Sequence, residues 1–90
     1  MTKQERKRIM RALQDRNQSG ANPLWQKVFD NLLITYAFTD KEKLLRKLFV
    51  DGNNKIRICM DLYISERLYY YWIQEICETA TKWAAEYGLI

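Results

Sequence analysis

A small residue, an apolar residue three positions on and a serine three beyond that, Cys59-x-x-Leu62-x-x-Ser65, set the tightest constraint on how this chain can fold. A small side chain lets two helices cross closely, and the apolar one plugs the crossing. The serine starts the next helix by accepting one of its free N–H groups. Beyond it, Tyr69, Trp72, Ile73, Ile76, Ala80, Trp83, Ala84 and Tyr87 recur at helical spacing. The spacing predicts a short helix over about 54–62 crossing the start of a long one from Glu66 to about Tyr87, roughly 33 Å in length. Gly88 suits the position just past its end, and Leu89 the hydrophobic contact that goes with it.

The rest of the chain is punctuated in the same way. Residues 3–17 are helix-compatible, with Ile9, Met10 and Leu13 as a narrow apolar stripe. Asn17 to Asn22 reads as a turn; Asn22 caps the next helix and Pro23 takes its first position, where a missing N–H costs nothing. Leu24, Trp25, Val28, Phe29, Leu32, Leu33 and Tyr36 form a wide apolar face. Thr39 and Glu42 have capping-box spacing, and Leu44, Leu45, Leu48 and Phe49 form the buried side of the helix they begin. Asp51-Gly52-Asn53-Asn54 is a turn. Strand-like alternation is missing. The predicted fold is all-α: a small bundle of about five helices with a C-terminal helix-turn-helix at about 54–87. It forms a single domain over 1–90, in which 1–21 is a basic N-terminal helix or arm with a linker and 22–90 is the core. Trp25 and Trp72 are expected among the buried rings.

The chain has 90 residues, no histidine and two cysteines without metal-ligand spacing, which excludes zinc fingers and histidine-based catalysis. Cys59 and Cys77 both fall at helix-core positions, so reduced, buried thiols are expected rather than a disulfide. No nucleophile stands beside a base, and there is no Gly-rich phosphate loop. Glu75 and Glu78, three apart, read as a solvated helix edge. The chain therefore reads as non-enzymatic and without a cofactor. No apolar run approaches the roughly 18 residues of a membrane span, so a cytoplasmic protein with no membrane partner is expected.

Net charge is +4, unevenly spread. Lys3, Arg6, Lys7, Arg8, Arg11 and Arg16 face only Glu5 and Asp15 near the N-terminus. Lys41, Lys43, Arg46, Lys47, Lys55 and Arg57 form a second basic group around Glu42 and Asp51, and the last third is acidic. Such clusters can neutralise phosphates, or simply form a solvated face. Residues 3–16 can be an arm along a polyanion or a helix packing its stripe on the core, and the two are compatible because stripe and charges occupy different faces. Tyr69 to Trp72 reads as core on one side and a contact surface on the other, in preference to a stacking platform for single strands.

From Asp40 to the C-terminus the chain resembles the helix-turn-helix of the sigma-factor region 4 type. It is most similar to the small bacteriophage transcriptional regulators of the ArpU and RinA kind. The residues that carry the likeness are Lys43-Leu44-Leu45-Arg46-Lys47-Leu48-Phe49-Val50-Asp51-Gly52, then Ile58-Cys59-Met60-Asp61-Leu62-Tyr63-Ile64-Ser65-Glu66-Arg67-Leu68-Tyr69-Tyr70, then the apolar tail to Gly88. They cover a little over half of the chain. Tyr63 falls where those families often hold Gly or Asn, and left-handed geometry there would cost a tyrosine about 1–2 kcal/mol.

The resemblance implies a bacterial host cell and double-stranded DNA as partner, with host RNA polymerase or a sigma factor beside it and a homodimer as one arrangement. Ser65 would cap the recognition helix and could touch a phosphate. Arg67 would be the leading groove-facing residue, because arginine can bond guanine O6 and N7 together. Tyr70 and Tyr71 would reach phosphates, and Gln74 a phosphate or a base edge. Non-specific affinity would come from Arg46, Lys47, Lys55, Arg57 and the N-terminal arm. Two rival readings use the same fold: a protein-binding module that docks polymerase, a sigma factor or another phage protein, and a packaging or replication accessory.

Overall fold

The computed structural model describes residues 1–90. Five helices follow one another: α1 (Lys3–Gln14), α2 (Leu24–Thr35), α3 (Asp40–Phe49), α4 (Lys55–Leu62) and α5 (Glu66–Glu86). No helix is long and apolar enough to cross a membrane.

Helix α5 is the spine. Its 21 residues span about 32 Å at 1.5 Å each, close to the molecule's 36 Å long axis. One face puts Tyr69, Ile73, Ile76, Cys77, Ala80 and Ala84 into the core. The alanines let neighbouring backbones approach closely. Helix α2 lies antiparallel along this spine: Asn31 Nδ2 donates to the Tyr87 hydroxyl at 2.7 Å, and the Tyr36 and Thr79 hydroxyls share a bond of 2.8 Å. The end of α5 is closed by the predicted glycine. Gly88 at φ 73° lets its own N–H bond Ala85 O and the Leu89 N–H bond Ala84 O, the paired arrangement of a Schellman motif.

Helix α1 belongs to the same core, contributing Ile9 and Leu13. Of the basic residues in α1 and the turn that follows it, Arg16 departs from expectation. It is only 8% exposed and points inward, so it does not belong to the basic surface. Its guanidinium donates to Leu13 O (2.9 Å), Phe49 O (3.3 Å) and Gln26 Oε1 (3.1 Å), and lies 4.0 Å from the centre of the Phe29 ring. Burial pushes its pKa down, and Asp30 partly offsets this. Arginine stays charged even so.

The helix starts match the sequence to within about a residue, but one cap is built differently. Asn22 Oδ1 accepts the Leu24 N–H, with the helix beginning one residue later than predicted, at Leu24. Asn54 and Ser65 cap α4 and α5 through the Arg57 and Leu68 N–H groups. The Thr39–Glu42 capping box does not form. The Thr39 hydroxyl donates to Tyr36 O, and the Glu42 carboxylate accepts the Phe38 N–H at 2.8 Å. That contact holds Phe38 at φ 66°, and together with Arg46 it keeps the Glu42 pKa low. Trp25 and Trp72 are half-buried rather than core. Wide rings on the shoulders of the apolar stripes are covered on one side only. The side chains enclosed completely are smaller, among them Leu32, Leu44, Leu45, Ile58 and Ile76.

Candidate nucleic-acid interface

Helix α4 is joined to α5 by Tyr63, Ile64 and Ser65 alone. Tyr63 makes so short a link possible by adopting left-handed geometry, φ 56° and ψ 44°. Its N–H and that of Ile64 both return to Cys59 O, closing α4 as a glycine would. Ile58 is the residue of α4 driven fully into the core, whereas Cys59 and Leu62 are half-buried against it. The Cys59 thiol sits 4.0 Å from Ser65 O. Both cysteines are free thiols, and burial pushes the Cys77 pKa up to about 11.

The strain at Tyr63 is testable. Its side chain is 95% exposed, so Tyr63→Gly removes almost no packing. Relief of the left-handed penalty, less the extra freedom glycine has when unfolded, should raise stability by about 0.5–1 kcal/mol in urea unfolding. A loss of stability would mean that the tyrosine makes a contact that favours the fold.

With Ser65 bonding the Leu68 N–H at 3.1 Å, the first turns of α5 project outward. Ser65, Arg67, Tyr70, Tyr71 and Gln74 are all exposed. Arg67 Nε donates to the Tyr71 hydroxyl at 3.2 Å, with its guanidinium 5.6 Å from that ring, so the two form one platform. Gln74 is turned along the helix towards Glu78, at 3.3 Å.

The flanking cations are nearly all engaged. Arg46 bonds Glu42 at 2.9 Å. Lys47 and Arg57 share Asp61, each at 3.3 Å. Burial alone would raise the Asp61 pKa, but its bonds from these two cations outweigh that and hold it low. Lys55 reaches the Tyr70 hydroxyl at 3.0 Å and Glu66 at 3.5 Å; these contacts, the tyrosine first, push its pKa up. Among Arg46, Lys47, Lys55, Arg57 and Arg67, Arg67 alone faces no carboxylate. The other pairs are partly exposed and individually weak, about 0–1 kcal/mol, so a phosphate can take a carboxylate's place.

Three features escaped the sequence reading. Asp61 ties α3 to α4, of which only the Arg57–Asp61 half was visible as an i,i+4 pair. Ile56 and Met60 on the outer side of α4, continued by Tyr63 just past its end, form an exposed apolar stripe, and the spacing of the first two could have been read as opposite Ile58 and Leu62. A basic groove also opens between α1 and the start of α5, lined by Lys3, Lys7, Arg11 and Tyr70. No three His, Cys, Asp or Glu side chains gather as a metal site. The interface can donate hydrogen bonds and present positive charge. Comparison of the chain with protein-family models, with characterised proteins and with solved structures gave no match.

Proposed function

We propose that the chain binds duplex DNA through α4 and α5 acting as a helix-turn-helix, as a sequence-specific transcriptional regulator of the phage or prophage kind. The observation that carries this reading is the outward start of α5, bearing an arginine that no carboxylate holds. In such a complex the N-terminal turns of the second helix meet base edges while the first helix crosses the backbone. Arg67 would read a guanine, Tyr70 and Tyr71 would bond phosphates, and Lys47, Lys55 and Arg57 would exchange their carboxylates for phosphates.

The test is a salt-titrated mobility shift on DNA from upstream of the protein's own operon. Steep weakening with salt is expected, and absence of binding at about 50 mM salt would sink the proposal. Within that assay, Arg67→Ala should cost about 1–3 kcal/mol on the specific site and far less on random DNA. A Lys47→Ala, Arg57→Ala double change should weaken all sequences alike and flatten the salt slope by up to about 2. Equal effects of the two variants would remove base reading from Arg67.

A second reading is favoured by the Ile56–Met60–Tyr63 stripe. A row of bare apolar side chains on a small domain suits a protein partner such as polymerase or a sigma factor. Capture of that partner from nuclease-treated host lysate, lost on Met60→Asp, would support it.

A further inference from the structure

We propose that the groove between α1 and α5 is a second phosphate-binding surface, which holds one strand of the duplex beside the recognition helix. This rests on the DNA reading above and adds to it a surface that the C-terminal helices do not supply.

Charge is the first reason. Lys3, Arg6 and Lys7 line a groove of about 680 Å³, and none of them has a carboxylate within ion-pair distance. Arg11, on the same rim, meets only Asp15, at 3.8 Å and with its own side chain 85% exposed. A pair that long and wet contributes almost nothing. The least neutralised positive surface of the molecule is therefore on α1, and not on α3 and α4, where each groove-flanking cation already holds a carboxylate.

Spacing is the second reason. Lys3, Lys7 and Arg11 recur every four residues, so they stand in one row along the helix. The row is about 12 Å long, with its cations about 6 Å apart. A strand runs obliquely to the duplex axis, so its phosphates stand farther apart than the roughly 3.4 Å axial rise, and the row suits about three of them. A free phosphate would need convergent donors, whereas a line of cations suits a line of phosphates. The floor beneath, Met10 and Ile73, offers apolar surface to deoxyribose.

Placement is the third. Tyr70 lines this groove and stands three residues after Arg67, hence beside it on the helix. A strand lying in the groove would pass next to the arginine that addresses the bases. The row is also rigidly mounted: Ile9 and Leu13 on the opposite face are buried, and the Cys77 thiol lies 4.0 Å from Arg6 O.

The experiment compares the full chain with a Lys3→Ala, Lys7→Ala, Arg11→Ala variant in salt-titrated binding to a duplex. Melting by circular dichroism serves as the folding control, and ethylation interference identifies the phosphates contacted. Each lost phosphate contact should lower the slope of log K against log salt by about 0.9, giving a drop of about 2.7. Between 50 and 200 mM salt, the wild type should then lose about 40-fold more affinity than the variant. Interference should vanish on one strand at one flank of the site. Should the triple variant not fold, Lys3→Gln with Lys7→Gln should lower the slope by about 1.8. A wild type that binds, with a variant of unchanged slope and interference, overturns the groove proposal and leaves the α5 reading intact. Loss of an acidic protein partner, with DNA binding unchanged, overturns it in favour of a protein occupant. A wild type that fails to bind duplex DNA overturns both.

Discussion

Replacing Arg16 with alanine should lower the unfolding free energy by about 2–4 kcal/mol, a large share of the roughly 5–13 kcal/mol that a domain of this length has. The cause is not loss of surface charge. The change would strip Phe49 O of its donor in a place that water reaches poorly, would leave Leu13 O with only the long 3.5 Å bond from the backbone N–H of residue 16, and would leave the Phe29 ring without the guanidinium that covers it. An unsatisfied buried carbonyl costs about 1–3 kcal/mol, and the ring contact is worth about 0.5–2. Arg16→Lys keeps the charge but not the planar fork that reaches two carbonyls and Gln26 together, so it should recover only part of the loss. Urea unfolding followed by tryptophan fluorescence measures both. A change within about 0.5 kcal/mol, as for an ordinary surface arginine, would show that the side chain is solvated in solution.

Ile58→Ala is expected to be as damaging, by about 2–5 kcal/mol, with Ile58→Val costing about 0.5–1.5. Ile58 is the one side chain of α4 that is fully buried. The cavity would open where α4 packs on the core, and eight residues are too few to hold a helix without tertiary packing. Hydrogen exchange should therefore show α4 amides losing protection before those of α2 or the middle of α5. Uniform loss across all helices would mean that α4 opens only with the whole domain.

Much of the architecture was legible because its signals are local. Asn22, Asn54, Ser65 and Gly88 mark boundaries through bonds to residues within a few positions, and the stripes on α2 and α5 follow the helical period. What remained hidden depends on partners far away in the chain. Arg16 looked like one more member of a basic run because its acceptor at Phe49 is 33 residues distant. The Thr39 capping box had the right letters, but the Phe38 N–H, freed by an unusual backbone, captured the glutamate first. The outward set Ser65, Arg67, Tyr70, Tyr71 and Gln74 was readable from one helix's periodicity. The engagement of Lys47 and Lys55 by Asp61 and Glu66 was not, since it requires α3, α4 and α5 to be brought together.

Six inward side chains along α5 lock that helix against rotation about its own axis. Each residue adds about 100° of turn, so a single deletion between Ile73 and Ile76 would swing Arg67 to another quarter of the cylinder while leaving composition almost untouched. The loops can drift in length, but α5 cannot. Its residue count is in effect the pointer that sets the direction in which the molecule faces whatever it touches.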